Sequence, residues 1–181
     1  MSEAVVETER LRLRVPLAED RATLHGWFGD PQVMADLAPA MDATGADAAI
    51  ARHDSYRGEG LGFWLVERRA DGEAVGFCGL KRCNPGTPLV GRLEIGWMFG
   101  PAHWGQGYAR EAAAACIDWA WVHCREDRII AITARVNAKS QKLMERIGMR
   151  AEPSLDYQHP AFAEGDRLRD SVVFVIDRPA A

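Results

Sequence analysis

The feature that most restricts the fold is a strand, a glycine turn and a long helix that follow one another between residues 92 and 124. The run RLEIGWMF at 92–99 has the composition of a strand that is largely buried on both faces. Beyond HWGQG at 103–107, apolar residues recur at i, i+3, i+4 and i+7 from Ala109 to Cys124. This pattern predicts a core helix packed on a sheet.

The rest of the chain alternates strand and helix patterns, with no internal repeat and no low-complexity linker. The predicted strands, besides 92–99, are ERLRLRV (9–15), FWLVER (63–68), AVGFCGL (74–80), RIIAITARV (128–136), MRAEPSL (149–155) and SVVFVID (171–177). The predicted helices, besides the one from Ala109, are residues 17–28, 45–57 and 138–149, with the dipeptide DP at 30–31 ending the first of these. We therefore expect a mixed α/β fold that forms one domain over residues 1–181.

Composition excludes several classes of function. The formal net charge of −4 and the absence of a basic run argue against a nucleic-acid surface. No segment has the apolar length of a signal peptide or a membrane span, so we expect a cytoplasmic protein with no membrane partner. The four cysteines have no metal-ligand spacing, which predicts buried reduced thiols and no metal site.

The glycine turn predicts an anion site. A helix normally begins at a Ser, Thr, Asp or Asn that accepts from the first amides, but here glycines precede it. Free amides and the helix dipole together attract a phosphate, and glycines let it approach the backbone. A purely geometric role for the glycines explains the turn equally well. The chain lacks both GK[ST] and GxGxxG, which excludes the common mononucleotide and dinucleotide loops.

Three segments, taken together, resemble the acetyl-CoA-binding core of the GNAT superfamily of N-acetyltransferases. They are LEIGWMF, HWGQGYAREA and VNAKSQKLMERIGM, in the family's order and spacing. The opening TERLRLR and the tryptophan before the glycines are similar to the Rim-type subgroup, which includes ribosomal-protein N-terminal acetyltransferases. The resemblance covers nearly the whole chain. It implies a mostly antiparallel central sheet of about seven strands, splayed in the middle and flanked by about four helices.

The resemblance also implies a set of residues that bind acetyl-CoA. The family's pyrophosphate loop, [QR]xxGx[GA], falls on WGQGYA, with Trp104 in the Gln or Arg place. Backbone amides in the loop would hold the pyrophosphate, and open backbone groups of the preceding strand would bond the pantetheine arm. The loop residues are Gly105, Gln106, Gly107, Tyr108, Ala109 and Arg110, and those of the strand are Trp97, Met98 and Phe99.

Asn137 and Ser140 belong to the same expected cleft. The resemblance gives the asparagine a contact with the cofactor, and Ser140 follows it by one helical turn. Asn137 also lies between a strand and a helix, where a plain N-cap is an equally good interpretation. Both roles are compatible.

Acetyl transfer to an amine needs a group that removes the amine proton and a group that protonates the leaving thiolate. Glu94 is the one carboxylate in the apolar strand 92–99, so we interpret it as the general base. The alternative is an ion pair with Arg92 or another arginine. The broad family often has a tyrosine where this chain has Met144, and methionine has no proton to donate. Ser140 is the replacement we favour, and Tyr157 or a water stays open.

The acceptor is expected to be a primary amine, either a small molecule or a peptide N-terminus. The polar connection at 156–174 is long enough to shape its pocket. Two alternatives stay open: a catalytically silent domain that senses CoA, and a transferase that uses another acyl-CoA. The resemblance is compatible with a monomer or a homodimer.

Overall fold

In the computed structural model, which describes residues 3–180, nine strands form one sheet. The strands are β1 (Ala4–Glu7), β2 (Leu11–Arg14), β3 (Gly62–Arg68), β4 (Ala74–Arg82), β5 (Leu93–Phe99), β6 (Arg128–Ala134), β7 (Arg150–Ala151), β8 (Tyr157–Gln158) and β9 (Asp170–Asp177). Their order is β1-β2-β3-β4-β5-β6-β9-β7, with β8 also paired to β9. All pairs are antiparallel except β5 with β6.

Five α-helices cover the two faces of the sheet in the described part of the chain. They are α1 (Arg21–Gly29), α2 (Pro31–Met34), α3 (Ala43–Asp54), α4 (Tyr108–His123) and α5 (Ala138–Arg146). The buried alanines of α4 pack with Trp64, Ile95 and Met144 in the larger core cluster. Side chains of α1, α2 and α3 pack with Phe63, Phe77 and Met98 in a second cluster. The two helical layers therefore lie on opposite faces of the sheet.

The splay expected between the central strands is present. β5 pairs with β4 along its whole length, from Leu93 to Phe99. With β6 it shares a single register pair, Glu94 with Ile130. The edge of β5 beyond this pair faces no neighbouring strand, which opens a cleft inside the sheet.

Three predictions about elements are corrected. A strand, β1, precedes the predicted first strand and pairs with it antiparallel. MRAEPSL contributes only the two residues of β7, because Pro153 begins a 3₁₀ turn there, and the short β8 follows. The dipeptide at 30–31 starts a helix as well as ending one: Asp30 Oδ1 accepts from the Gln32 amide at 2.7 Å, and proline suits the first helical position.

Candidate active site

The glycine turn before α4 is an open nest of amides. Gly105 and Gly107 have φ of 75° and 83°, a left-handed conformation that glycine adopts without strain. Gly107 is the N-cap of α4, and no side chain caps the helix. Among residues 3–180, no group accepts a hydrogen bond from the amides of residues 105–110, and the first helical bond runs from the Glu111 amide to the Gly107 carbonyl at 3.1 Å. Such an end binds anions.

Arg10, in the connection between β1 and β2, holds the glycine turn in place. Arg10 donates from Nη1 to the Gln106 carbonyl at 3.1 Å and forms an ion pair with Glu111 at 2.6 Å. Its guanidinium also lies 4.9 Å from the centre of the Tyr108 ring. No local pattern indicates this role of Arg10, because ninety-six positions separate it from Gln106. The nest is therefore held in shape before any ligand arrives.

Trp104 joins the turn to the end of β5. Its indole Nε1 donates to the Phe99 carbonyl at 2.7 Å, and Lys139 Nζ lies 4.6 Å from the centre of its ring. Where the family pattern has a polar side chain, this chain thus has an aromatic one that orders the loop through the backbone. The Phe99 carbonyl therefore already accepts a hydrogen bond from within the protein.

A cavity of about 620 Å³ lies against the nest, between α2, β5 and α5. Its lining contains all but one of the predicted cofactor residues: Trp97, Met98, Phe99, Trp104, Gly105, Gly107, Tyr108, Ala109, Arg110, Asn137 and Ser140. The exception is Gln106, whose side chain donates to the Ala102 carbonyl at 3.0 Å. Its backbone amide still belongs to the nest.

Sequence reasoning missed the basic side chains of this cavity. His103, Lys139 and Arg146 line it together with Arg110. Lys139, Leu143 and Arg146 lie at i, i+4 and i+7 of α5, which is the spacing of one helical face. This spacing is the sequence pattern that could have indicated a basic helix face beside the glycine turn. The positive charges of Arg110, Lys139 and Arg146 suit a ligand with several phosphates.

The open edge of β5 presents backbone groups of Trp97 and Phe99. The Gly100 amide donates to Val75 in β4 at 3.1 Å, and backbone groups alternate between the two edges of a strand. The backbone of Met98 therefore faces β4, whereas those of Trp97 and Phe99 face the cleft. This corrects the expectation that Met98 offers an open backbone group. Its buried side chain lines the cavity instead.

Asn137 is the N-cap of α5. Its side-chain oxygen accepts from the Ser140 amide at 3.0 Å, as the plain interpretation expected. Its Nδ2 reaches the Asp36 carbonyl at 3.4 Å, in the segment that follows α2. Arg167, from the long connection before β9, holds the same segment through Asp36 Oδ1 at 2.6 Å. Both contacts fix the outer wall of the cleft.

A second cavity of about 210 Å³ adjoins the first. Four residues line both: Leu37, Trp97, Met98 and Ser140. Glu94 lines only the second, along with Arg52, His53 and Thr133 and a largely apolar wall. Ser140 therefore lies where the two cavities join, and Glu94 lies on the side away from the glycine nest.

Glu94 forms an ion pair with Lys81. Their side chains face each other across β4 and β5, with Nζ 2.5 Å from Oε2 and only 10% and 14% of their surfaces exposed. The ion-pair alternative is thus realised with a lysine instead of an arginine, in a position that also lines the cavity. Lys81 donates to Oε2 of this carboxylate, which leaves Oε1 as a further acceptor.

Two further groups lie close enough to respond electrostatically to Glu94. Burial, and then the charge of Glu94, raises the pKa of the Cys83 thiol to about 12. The same causes, in the same order, raise the pKa of Tyr157 above its ordinary value. Both groups are protonated at neutral pH. Tyr157 does not line either cavity, so the structure places Ser140 nearer the junction.

His53 is a buried, uncharged wall of the second cavity. It stacks on Phe63 with ring centres 4.1 Å apart and is only 5% exposed. Burial lowers the pKa of His53 to about 3, and the nearby charges of Arg52, Lys81 and Arg57 act in the same direction. Its Nδ1 has no hydrogen-bond partner among the described residues. No prediction from the sequence included this residue.

The described part of the chain contains no helix long and apolar enough to cross a membrane.

Comparisons with known proteins agree with this geometry. The family model described as "Acetyltransferase (GNAT) domain" matches residues 10–150. The chain is 33% identical over 172 residues to Uncharacterized N-acetyltransferase p20 of Bacillus licheniformis, a match that covers 92% of each protein.

Two solved structures share the fold at low sequence identity. The ribosomal L7/L12 α-N-protein acetyltransferase RimL, in complex with coenzyme A, superimposes with a TM-score of 0.76 at 14% identity, over 97% of this chain and 98% of that one. Spermidine N-acetyltransferase from Vibrio cholerae, in complex with CoA and spermine, gives 0.73 at 19% identity, over 94% and 97%. These two proteins act on different classes of amine.

Proposed function

This chain belongs to the GNAT acetyltransferase family and is an N-acetyltransferase, and we propose that it moves the acetyl group of acetyl-CoA directly to a primary amine bound in the second cavity. The observation that carries the proposal is the junction of the two cavities at Trp97, Met98 and Ser140. One side of this junction offers free amides and basic side chains for a phosphorylated cosubstrate. The other side offers a carboxylate for an amine.

The residues present fit acetyl-CoA. Six consecutive amides that have no acceptor among residues 3–180 can hold a pyrophosphate, since each is a free donor. The open edge of β5 at Trp97 can bond an extended amide-bearing arm in the way that a neighbouring strand would. The volume of the larger cavity is within the ~300–1,000 Å³ typical of cofactor sites.

The reaction needs two proton movements. A neutral amine attacks the thioester carbonyl, the new C–N bond forms, and the C–S bond breaks to release a thiolate. We assign removal of the amine proton to Glu94, directly or through a water, because its carboxylate lines the acceptor cavity. We assign protonation of the thiolate to Ser140, because it lies at the junction of the cavities.

A covalent acetyl-enzyme is not needed. The cysteine beside Glu94, Cys83, is a buried thiol whose pKa is raised to about 12, and a protonated thiol is a poor nucleophile. Transfer within a ternary complex predicts initial-rate lines that intersect when both substrates are varied. Parallel lines would contradict direct transfer.

The test is thiol release from acetyl-CoA by the purified protein. The amines should include amino acids, aminoglycosides, polyamines and short peptides, and calorimetry should measure acetyl-CoA binding in parallel. Thiol release that depends on one class of amine, together with mass-spectrometric detection of the N-acetyl product, would support the proposal. Tight acetyl-CoA binding without release for any amine would overturn it and favour a sensor domain.

A further inference from the structure

The second cavity has a composition that discriminates between amines. Its volume of about 210 Å³ is below the ~300–1,000 Å³ typical of sites for drug-sized ligands. Phe63, Phe77, Ile95 and Met98 are among its walls. A compact apolar group fits such a space, whereas a bulky hydrophilic antibiotic does not.

Of the two charged side chains that line this cavity, Glu94 has an ion-pair partner and Arg52 has none among residues 3–180. Its carboxylate, Glu94, is already neutralised by Lys81 at 2.5 Å. Arg52, at the C-terminal end of α3, lines the cavity and is exposed, so it stands where the cavity opens to solvent. No carboxylate within residues 3–180 pairs with Arg52, although Arg21 and Arg57 pair with Asp47 and Asp54. When Glu94 is counted together with the lysine that neutralises it, Arg52 is the unbalanced charge of this cavity.

The basic side chains around His53, in the wall of the cavity, act in the same sense. After burial, the largest influences on its pKa are the charges of Arg52, Lys81 and Arg57, and all three lower it. A site that makes protonation of an imidazole unfavourable also makes the approach of a second ammonium group unfavourable. Polyamines are poor candidates on these grounds.

We propose that the acceptor is a compact amine that carries both an apolar body and an anionic group, and that Arg52 binds the anionic group. This inference rests on the proposed function. The guanidinium donates in a planar fork that matches a carboxylate. The amine then lies toward Glu94, and the apolar body lies against the Phe63 and Phe77 side of the cavity.

A matched series of amines tests this assignment. Aminohexanoate, hexylamine and diaminohexane share one carbon chain and end in an anionic, a neutral and a cationic group, and leucine with leucinamide repeats the comparison at shorter spacing. We expect kcat/KM for the anionic member of a series to exceed that of the neutral one by about tenfold, the size of one charge-assisted hydrogen bond. The cationic member should be the poorest.

Variants of Arg52 complete the test. Arg52→Ala should equalise the anionic and neutral members, and Arg52→Glu should favour the cationic one. Arg125→Ala is the matched control, because Arg125 is another exposed arginine without a carboxylate partner in the described chain and does not line either cavity. It should leave the ranking unchanged.

Binding to the CoA-loaded protein, measured by calorimetry with the same amines, separates this inference from the proposed function. Preferential binding of the anionic member that is lost in Arg52→Ala, with no turnover of any amine, would keep the inference and overturn the proposed reaction. Turnover in which the anionic and neutral members are equal, or in which diaminohexane or a leucyl peptide amide is preferred, would keep the reaction and overturn the inference. Binding of none of these amines would also overturn it.

Discussion

The two cavities are built from different parts of the chain. The larger one offers backbone groups beside its basic side chains: free amides of one turn, the open edge of one strand, and two glycines with positive φ. The smaller one is made of side chains from α3, β5 and α5 that meet only in the folded protein. Backbone geometry tolerates many side chains, so a common cosubstrate can be bound by diverse sequences, whereas a side-chain cavity is specific to one acceptor.

The largest expected effect is in the side-chain cavity. Glu94→Gln should lower kcat/KM by about 100- to 10,000-fold if the carboxylate is the general base, because the amide cannot accept the amine proton. Acetyl-CoA affinity, measured by calorimetry, should be unchanged. Unchanged turnover with the best acceptor would remove Glu94 from the mechanism.

A second variant controls for the loss of the ion pair. Glu94→Gln leaves Lys81 as a nearly buried charge without its partner, which costs roughly 3–5 kcal/mol for a fully buried pair. Adding Lys81→Met removes that charge, so the double variant should recover stability in urea unfolding without recovering turnover. Recovery of both would show that Glu94 acts only through the fold.

The pH dependence of stability tests the uncharged wall of the same cavity. In the folded state the pKa of His53 is lowered from 6.5 to about 3, so between these pH values only the unfolded state binds a proton at this residue. The free energy of unfolding is therefore highest above pH 6.5 and falls as the pH is lowered toward 3. Between pH 7.5 and 4.5 the free energy of unfolding of the unmodified protein should fall by about 3 kcal/mol more than that of the His53→Phe variant. His123→Gln, an exposed histidine, should behave as the unmodified protein. Equal losses in all three would contradict a buried neutral imidazole.

Ser140→Ala tests the junction between the cavities. If the hydroxyl protonates the leaving thiolate, kcat should fall by about ten- to a hundredfold, toward the lower end of proton-transfer effects. The Kd for acetyl-CoA should stay within about twofold, since the N-cap bond uses the Ser140 amide and not its side chain. Ser154→Ala, on the exposed turn after β7, is the control. A kcat equal to that of the control would assign the proton to another group.

The smallest effect is expected in the backbone cavity. Gly107→Ala places a Cβ at a φ of 83°, which costs about 1–2 kcal/mol and should weaken acetyl-CoA binding by about tenfold as the amides turn away. Gly86→Ala imposes a similar strain at a φ of 85° in an open loop between β4 and β5 that lines neither cavity. Both variants should lose similar stability, and only the first should lose affinity. Equal affinity of the two variants for acetyl-CoA would show that the amides of the glycine turn do not bind it.

Much of the fold was predictable, because it depends on periodicity. The apolar positions of α4 and the alternation in β2, β3 and β4 report their own burial, and each element lies where the pattern indicated. The failures have local causes. β7 and β8 have only two residues each, and the sequence AVVE of β1 does not alternate as LRLR of β2 does. Asp30 and Pro31 both end α1 and begin α2.

The sequence by itself determined the family and the left-handed glycine turn before α4, because glycines at fixed spacing specify a backbone conformation without reference to distant residues. Only the tertiary structure decided that Lys81 is the partner of Glu94, that Arg10 supports the glycine turn, and that the backbone of Met98 faces β4. It alone brought Arg52 and His53 into one cavity with Glu94. Such contacts join residues far apart in the chain, and each depends on strand register and helix position, which no local pattern encodes.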